Sequence, residues 1–371
     1  MTKQRLNNIF FFLGVAAVVV MLFTFDVSFV ELWEHLCHAG YWLIPIVGVW
    51  IIIYGINALS WQTIIKAKTS PSPSKGGECL AESDARRPSS PLGKSEGVSF
   101  WRIYRLTITG YALNYATPVG GLGGEPYRIL ELSKDVSRQH AASSVILYAM
   151  MHFFAHFWFW FSSIFIYLAL AAVGDLPINT AIATVLGIII VFCLIFFWIF
   201  SRGYRKGLVV GALRLIGRIP GLKGWTSRFL EGHAESLHNI DTQIASLYAE
   251  DKRAFYNSLL LEYLSRIVQS SEVFFMLLLF GIDCGGGFTG LTLTYLHSIL
   301  IVSFTTLFAN LIGFLPMQLG VQEGGFVLSI AALGLSAALG IFVSIICRVR
   351  EIIWIIIGIL LMKIEPRNNT D

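Results

Sequence analysis

Apolar residues run in blocks long enough to cross a bilayer at about 8–25, 41–65, 141–172, 180–200, 255–281 and 336–362. A spanning helix needs roughly 20 such residues, so these blocks predict about six spanning helices. Two further apolar stretches, 101–133 and 291–335, are interrupted. The first is broken by Asn114, Pro118, Gly120, Gly121, Gly123, Gly124 and Glu125, the second by Asn310, Pro316, Gly320 and Glu323. In both, the Glu falls seven residues after the Pro. Pro and Gly break helices, and a carboxylate is expensive in hydrocarbon. Such backbone is tolerated at membrane depth only where it is buried in protein or lines a polar cavity. A broken, charged segment in each half of a membrane protein points to a transport site.

Composition agrees with the pattern. The 371 residues are 55% hydrophobic and only 13% charged, with a mean hydropathy of +0.68. Soluble domains carry about 25% charged residues, so the chain reads as an all-α polytopic membrane protein. A net charge of +4 gives no reason to expect nucleic acid as a partner. Lys3 and Arg5 precede the first apolar run, which ends Phe23-Thr24-Phe25-Asp26 without a small-x-small cleavage site; it is expected to be a retained helix. The cysteines, Cys37, Cys79, Cys193, Cys284 and Cys347, form no CxxC pair and imply no zinc site.

The basic residues set the topology. The loop 66–105, with Lys66, Lys68, Arg86, Arg87 and Arg102 among others, and the loop 201–228, with Arg202, Arg205, Lys206 and Arg214 among others, are expected on the cytoplasmic side. The loops 26–40 and 173–179 have no Lys or Arg, and none occurs from Ile267 to Cys347. Lys363 and Arg367 put the C-terminus inside, as Lys3 and Arg5 do the N-terminus. Segment 101–140 then begins at Arg102 and Arg105 and ends at Lys134 and Arg138, on one side, and 291–335 begins and ends on the other. The two broken stretches are therefore predicted to be re-entrant broken-helix hairpins of opposite orientation in an inverted-topology repeat. The rival, a kinked spanning helix at each break, puts Lys134 and Arg138 outside.

The expected organisation follows: 1–40, N-terminal helix and outer loop; 41–200, first repeat, with hairpin 101–133 and a Ser/Pro/Gly-rich cytoplasmic insertion at 69–99; 201–254, basic loop and amphipathic helix; 255–371, second, inverted repeat with hairpin 291–335. In 225–253, Phe229, His233, Leu237, Ile240, Ile244 and Leu247 share helical spacing.

Chemistry concentrates at the breaks. Glycines before Glu125 let backbone amides approach a ligand, and a helix N-terminus favours anions. Glu125 and Glu323 themselves suit an amine, a proton or an Arg, or else simply cap half-helices. Arg128, one turn beyond Glu125, either neutralises a neighbouring carboxylate or grips a phosphate. Arg348, Arg350 and Glu351 sit mid-span and are expected to face inward onto Glu323, Glu125 or a lipid phosphate. Glu262 and Arg266 are spaced as an i,i+4 salt bridge, and Glu272 is deeper and without an evident partner. His152 and His156 share a helix face and read as plain packing, or else as a polar cavity lining or proton relay, with too few companions for a metal. His152 lies 27 residues after Glu125, and Arg350 lies 27 after Glu323, which makes the two equivalent. Trp158 and Trp160 read as lipid-facing or interfacial-belt residues.

The first break, with Asn114, Pro118, Gly123, Gly124, Glu125 and Arg128, resembles the N-x-x-x-P…G-E-x-x-R element of the lysylphosphatidylglycerol synthase transmembrane (flippase-like) family. Leu315-Pro316…Leu319-Gly320-Val321-Gln322-Glu323 resembles its P-x-G-L-G-V-x-E element. The resemblance covers about 41–363 without the insertion. It implies a lipid-handling membrane domain, in some members moving an aminoacylated phospholipid between leaflets and in others associated with polyprenol-linked pathways. It singles out Pro118, Gly124, Glu125, Arg128, Pro316, Gly320 and Glu323. Gln318 stands where Gly is usual, and Gln322 where Arg is often found. No aminoacyl-transfer domain is evident, so synthesis of lysyl lipids is not expected.

The expected function is translocation of a membrane lipid or polyprenyl-phosphate-linked intermediate in a bacterial cytoplasmic membrane, without cofactor. Arg128 or Arg350 would hold phosphate. A partner that presents lipid to a separate synthase is the alternative. A transferase ranks lower, since there is no DxD, DxxD or nucleophile elbow.

Overall fold

The computed structural model describes residues 40–67, 98–116, 123–206, 251–282, 286–311 and 321–363, with fragments between 210 and 245. The apolar run 8–25, most of the insertion 69–99, and the breaks at 117–122 and 312–320 lie outside the described residues. Pro118, Gly120, Gly121, Pro316, Gln318 and Gly320 lie outside with them, as do Cys37, Cys79 and Cys284.

The described residues are helical, with no strand. After a short 3-10 turn, Gly40–Trp42, come α1 (Leu43–Lys66), α2 (Phe100–Ala116), α3 (Gly124–Leu132), α4 (Arg138–Ala172), α5 (Thr180–Lys206), α6 (Lys223–Gly232), α7 (Lys252–Leu279), α8 (Gly287–Leu311), α9 (Val321–Ala332) and α10 (Ala337–Met362). Capping fixes several starts. Ser137 Oγ accepts from His140 N at 3.3 Å before α4, and Asp251 Oδ1 accepts from Ala254 N at 3.0 Å before α7. Both interrupted stretches do split into two helices, α2 with α3 and α8 with α9.

Among the described residues four helices are long and apolar enough to cross a membrane: α1 with its preceding turn, α4, α5 and α8. The sequence predicts α7 and α10 as spans too; α10 carries Arg348, Arg350 and Glu351 at mid-length, which spoils its apolar window. α8 departs from expectation. Its 25 residues extend about 37 Å at 1.5 Å per residue, more than an arm of a re-entrant hairpin needs. α2 at 17 residues, α9 at 12 and α3 at nine are shorter. Of the expected amphipathic segment, α6 covers the start, and Leu237 is buried.

The packing interleaves the two halves. α1 packs along α7, α2 lies against α10, and α4 against α8. Within each half, α2 adjoins α3 and α3 adjoins α4, as α8 adjoins α9 and α9 adjoins α10. Small hydroxyl residues mark the crossings: Ser60 to Ser258 (2.9 Å), Ser163 to Ser303 (2.7 Å) and Thr305 to Ser329 (3.2 Å). In a bilayer, where lipid is as apolar as Leu, such close contacts and hydrogen bonds hold helices together. On α4 an apolar cluster around Tyr148 and Met151 precedes His152 and His156, and another around Phe159, Trp160 and Ile164 follows. A polar layer thus sits between two apolar ones. α5 stands outside, presenting Ile188, Val191, Ile195 and Trp198 outward.

Trp158 is exposed as expected, but Trp160 is buried and donates Nε1–H to Thr306 Oγ1 at 3.1 Å. It is a helix–helix contact, not a lipid-facing ring.

Glycine sets the α2–α10 distance. A Cβ on Gly358 would run into Ala112 Cβ and lie 3.1 Å from the Ile108 carbonyl oxygen, whereas one on Gly187 in α5 meets nothing. Gly358→Ala is expected to cost about 1–3 kcal/mol by overpacking and lower the thermal midpoint of the detergent-solubilised protein. Gly187→Ala is expected to leave the midpoint unchanged or raise it.

Candidate functional site

The site is built from the two helices that follow the breaks. Asn114 in α2 organises the start of α3. Its Oδ1 accepts from Gly124 N at 2.6 Å, and its Nδ2 donates to Glu125 Oε1 at 3.2 Å. One of the free amides of a helix start is thereby satisfied. Glu125 lies in the first turn, where the helix dipole favours a negative charge. Arg128, one turn on, donates NH1 to Glu125 Oε1 at 3.1 Å and NH2 to the Thr107 carbonyl at 3.2 Å. Its guanidinium lies over Tyr111 at 4.8 Å, Tyr148 at 5.4 Å and Trp61 at 5.7 Å. Glycine makes room for this. A Cβ on Gly110 would collide with the Arg128 side chain, and one on Gly124 with the Gly110 carbonyl. Arg128 therefore pairs with the carboxylate of its own break. Arg128 Nε and Glu125 Oε2 have no hydrogen-bond partner among the described residues.

The second break is held from α10. Arg348 donates Nε to Glu323 Oε1 at 2.7 Å and NH1 to Glu351 Oε2 at 2.8 Å. Arg350 instead grips Glu272 of α7 with two prongs, Nε to Oε1 at 2.7 Å and NH2 to Oε2 at 3.2 Å. Trp50 of α1 donates Nε1–H to Glu272 Oε2 at 2.9 Å, and its ring lies 4.1 Å from the Arg350 guanidinium. The expected acceptors for α10 were Glu323 and Glu125; Arg348 takes Glu323, while Arg350 takes Glu272, which spacing alone left without a partner. The reason is geometric: Arg348 and Arg350 are two residues apart and so point to different sides of their helix. Gln322 donates Nε2–H to Glu351 Oε1 at 3.1 Å and so is part of the network.

The third cluster lies where α2, α4 and α7 meet. His152 Nδ1 is 2.8 Å from Glu262 Oε2 and 3.1 Å from the Tyr111 hydroxyl, which is itself 3.2 Å from the Tyr148 hydroxyl. The expected Glu262–Arg266 bridge is long, at 3.9 Å. Arg266 NH1 donates to Gln269 Oε1 at 2.8 Å, and NH2 lies 3.1 Å from His152 Nε2. His156 spends Nδ1–H on the His152 carbonyl at 2.9 Å. Among the described residues no group of three His, Cys, Asp or Glu could hold a metal.

These clusters border one cavity of about 220 Å³. Its lining includes Asn114, Glu125, Arg128, His152 and His156 of the first half and Asn310, Arg350 and Glu351 of the second. His152 and Arg350, placed as equivalents by their offsets from the breaks, both reach it. Glu323 and Arg348 are not in the lining; they connect to it through Glu351. Gly123 and Gly124 shape the approach to Glu125 without lining the cavity. Trp50, Asn57, Tyr111, Tyr148, Gln269 and Glu272 also line it, and the sequence reading did not select them as site residues. Asn57 within an apolar block was a usable signal; Trp50 offered none.

Three guanidinium groups and three carboxylates face this space: Arg128, Arg266, Arg350, Glu125, Glu272 and Glu351. An anion entering can replace a carboxylate on an arginine, and a cation can replace an arginine on a carboxylate.

Truncating one partner of a buried ion pair strands the other. Arg350→Met is expected to lower stability by about 3–5 kcal/mol, because Glu272 keeps only Trp50. Adding Glu272→Leu is expected to restore part of that loss, in a double-mutant cycle followed by thermal unfolding in detergent.

No curated protein and no solved structure matches the chain. The family model of the lysylphosphatidylglycerol synthase TM region matches residues 11–359, nearly the whole chain, and the protein belongs to that family.

Proposed function

We propose that the protein is a translocase for a lipid or a lipid-linked intermediate, moving its polar headgroup across a bacterial cytoplasmic membrane with both termini in the cytoplasm. The observation that carries this reading is the mid-bundle cavity, bordered by paired charges from both halves and by the helices that follow both breaks. At about 220 Å³ it is smaller than the ~300–1,000 Å³ of small-molecule sites, so it suits a headgroup whose acyl or prenyl chains stay in the bilayer.

In this reading the breaks belong to two opposed re-entrant elements of an inverted repeat. The interleaved contacts, α2 on α10 and α4 on α8, support a two-fold arrangement of the halves. On this reading α8, with 25 residues against 17 in α2, gives the second element the longer arm. A headgroup phosphate would displace Glu125 from Arg128, or Glu272 and Glu351 from Arg350. The freed carboxylates would take an amine on the same headgroup or a proton. Each exchange keeps every buried charge paired, so the headgroup crosses without an isolated charge in hydrocarbon. The glycine-lined crossing of α2 and α3 would let the elements pivot during alternating access. No transfer chemistry enters this cycle, and the protein acts as a transporter.

Purified protein in proteoliposomes is expected to move a labelled aminoacyl or zwitterionic phospholipid, or a polyprenyl-phosphate lipid, between leaflets. Glu125→Gln and Glu323→Gln are expected to slow that movement about tenfold, the equivalent of ~1.4 kcal/mol. Unchanged movement in both variants would overturn the assignment. No movement of any lipid by well-folded protein would favour a subunit that presents lipid to a separate synthase.

A further inference from the structure

The exchange of headgroup for carboxylate uses Glu125, Arg128, Glu272, Arg350 and Glu351 and leaves Glu262 unused. Glu262 is completely buried and does not line the cavity; His152, its partner at 2.8 Å, does. Glu262 Oε1 has no hydrogen bond among the described residues. The Ser60 hydroxyl, which also pairs with Ser258, is the neighbouring donor that reaches this carboxylate. A completely buried carboxylate with so few donors is costly, and a proton removes the cost by neutralising the group.

We propose that Glu262 and His152 form a one-proton site opening onto the cavity through the imidazole, and that its occupancy is linked to that of an anion in the cavity. The balance is simple. With the site empty, His152 is neutral and its Nδ1–H donates to Glu262 Oε2, while Arg266 NH2 lies about equally far from the two ring nitrogens, 3.0 Å from Nδ1 and 3.1 Å from Nε2. A proton from the cavity binds Nε2 as Arg266 turns aside, and the Nδ1 proton passes to Glu262 Oε2. The products are a neutral imidazole and a neutral carboxylic acid, one proton having been taken up.

The charged and titratable groups around Glu262 decide the consequence. They are Tyr111 of α2, Arg128 of α3, Tyr148, His152 and His156 of α4, and Arg266 of its own helix. α1 contributes uncharged Asn57 and Ser60, and the Tyr295 hydroxyl of α8 is committed to the Ile267 carbonyl. Once Glu262 is neutral, Arg266 loses its nearby negative charge and the cavity wall becomes more positive. An anion then binds better, and by reciprocity a bound anion strengthens proton uptake. The proton site stands on its own geometry; its use to drive transport rests on the translocase reading.

Infrared difference spectroscopy of the full chain in lipid, titrated with pH, separates the two. A protonated-carboxyl band that titrates in the wild type and vanishes in Glu262→Gln is expected. In His152→Gln the band is expected to persist with a displaced midpoint, which decides the matter even where Glu262→Gln fails to fold. Inorganic phosphate at a pH near the midpoint is expected to increase the band. No band, a band surviving Glu262→Gln, or a midpoint indifferent to His152→Gln would overturn the site; indifference to phosphate would overturn the linkage. In proteoliposomes an imposed pH gradient is expected to change lipid movement by the wild type and not by Glu262→Gln. An intact band with no lipid movement would sink the translocase reading and leave the proton site standing.

Discussion

Arg128, Arg348 and Arg350 are each deeply buried and each bound to a carboxylate, and the packing of the bundle depends on that pairing. A charge alone in hydrocarbon costs several kcal/mol even after relaxation. Arg128, Arg348 and Arg350 each find a Glu within about 3 Å, and Trp50, Gln322 and Asn114 add further bonds to those carboxylates. Because the partners come from different helices, satisfying them fixes how α1, α7, α9 and α10 stand relative to one another. The apolar clusters on either side supply area; the ion pairs supply register.

The aromatic rings are part of the same solution. Tyr111, Tyr148 and Trp61 surround Arg128, and Trp50 covers Arg350. A ring face attracts a cation while remaining apolar on its other side. It therefore lets a guanidinium border a cavity without demanding water around its whole plane. Gly110 completes the arrangement by leaving no side chain where Arg128 must lie.

Much of this was legible in the sequence, for identifiable reasons. The helices at 41–65, 141–172, 180–200, 255–281 and 336–362 follow from hydropathy, and the structure places helices within a few residues of each. The breaks were legible because Pro, Gly and Glu are conspicuous in apolar sequence. The Glu125–Arg128 pair was legible because i,i+3 neighbours share a helix face. The Arg350–Glu272 pair was not, because its members are 78 residues apart and nothing local encodes which helix α10 meets. Local spacing gave the Glu262–Arg266 pair, long at 3.9 Å, but not the closer His152, which is 110 residues away in sequence. Trp160 looked like a lipid-facing ring because hydropathy does not say which side of a long helix is covered. The extent of α8 was hidden for a related reason: the basic residues that mark topology are absent throughout 267–347.

The interleaving of the halves has a consequence for biogenesis. Glu262, the acid beside His152, lies 110 residues further along the chain. At 5–20 residues per second it leaves the ribosome roughly 5–20 seconds later. Until then α2, α3 and α4 stand in the membrane without α7 and α10, the helices that complete their polar faces. The nascent first half must be sheltered during that interval, by water at the bilayer surface or by the insertion machinery.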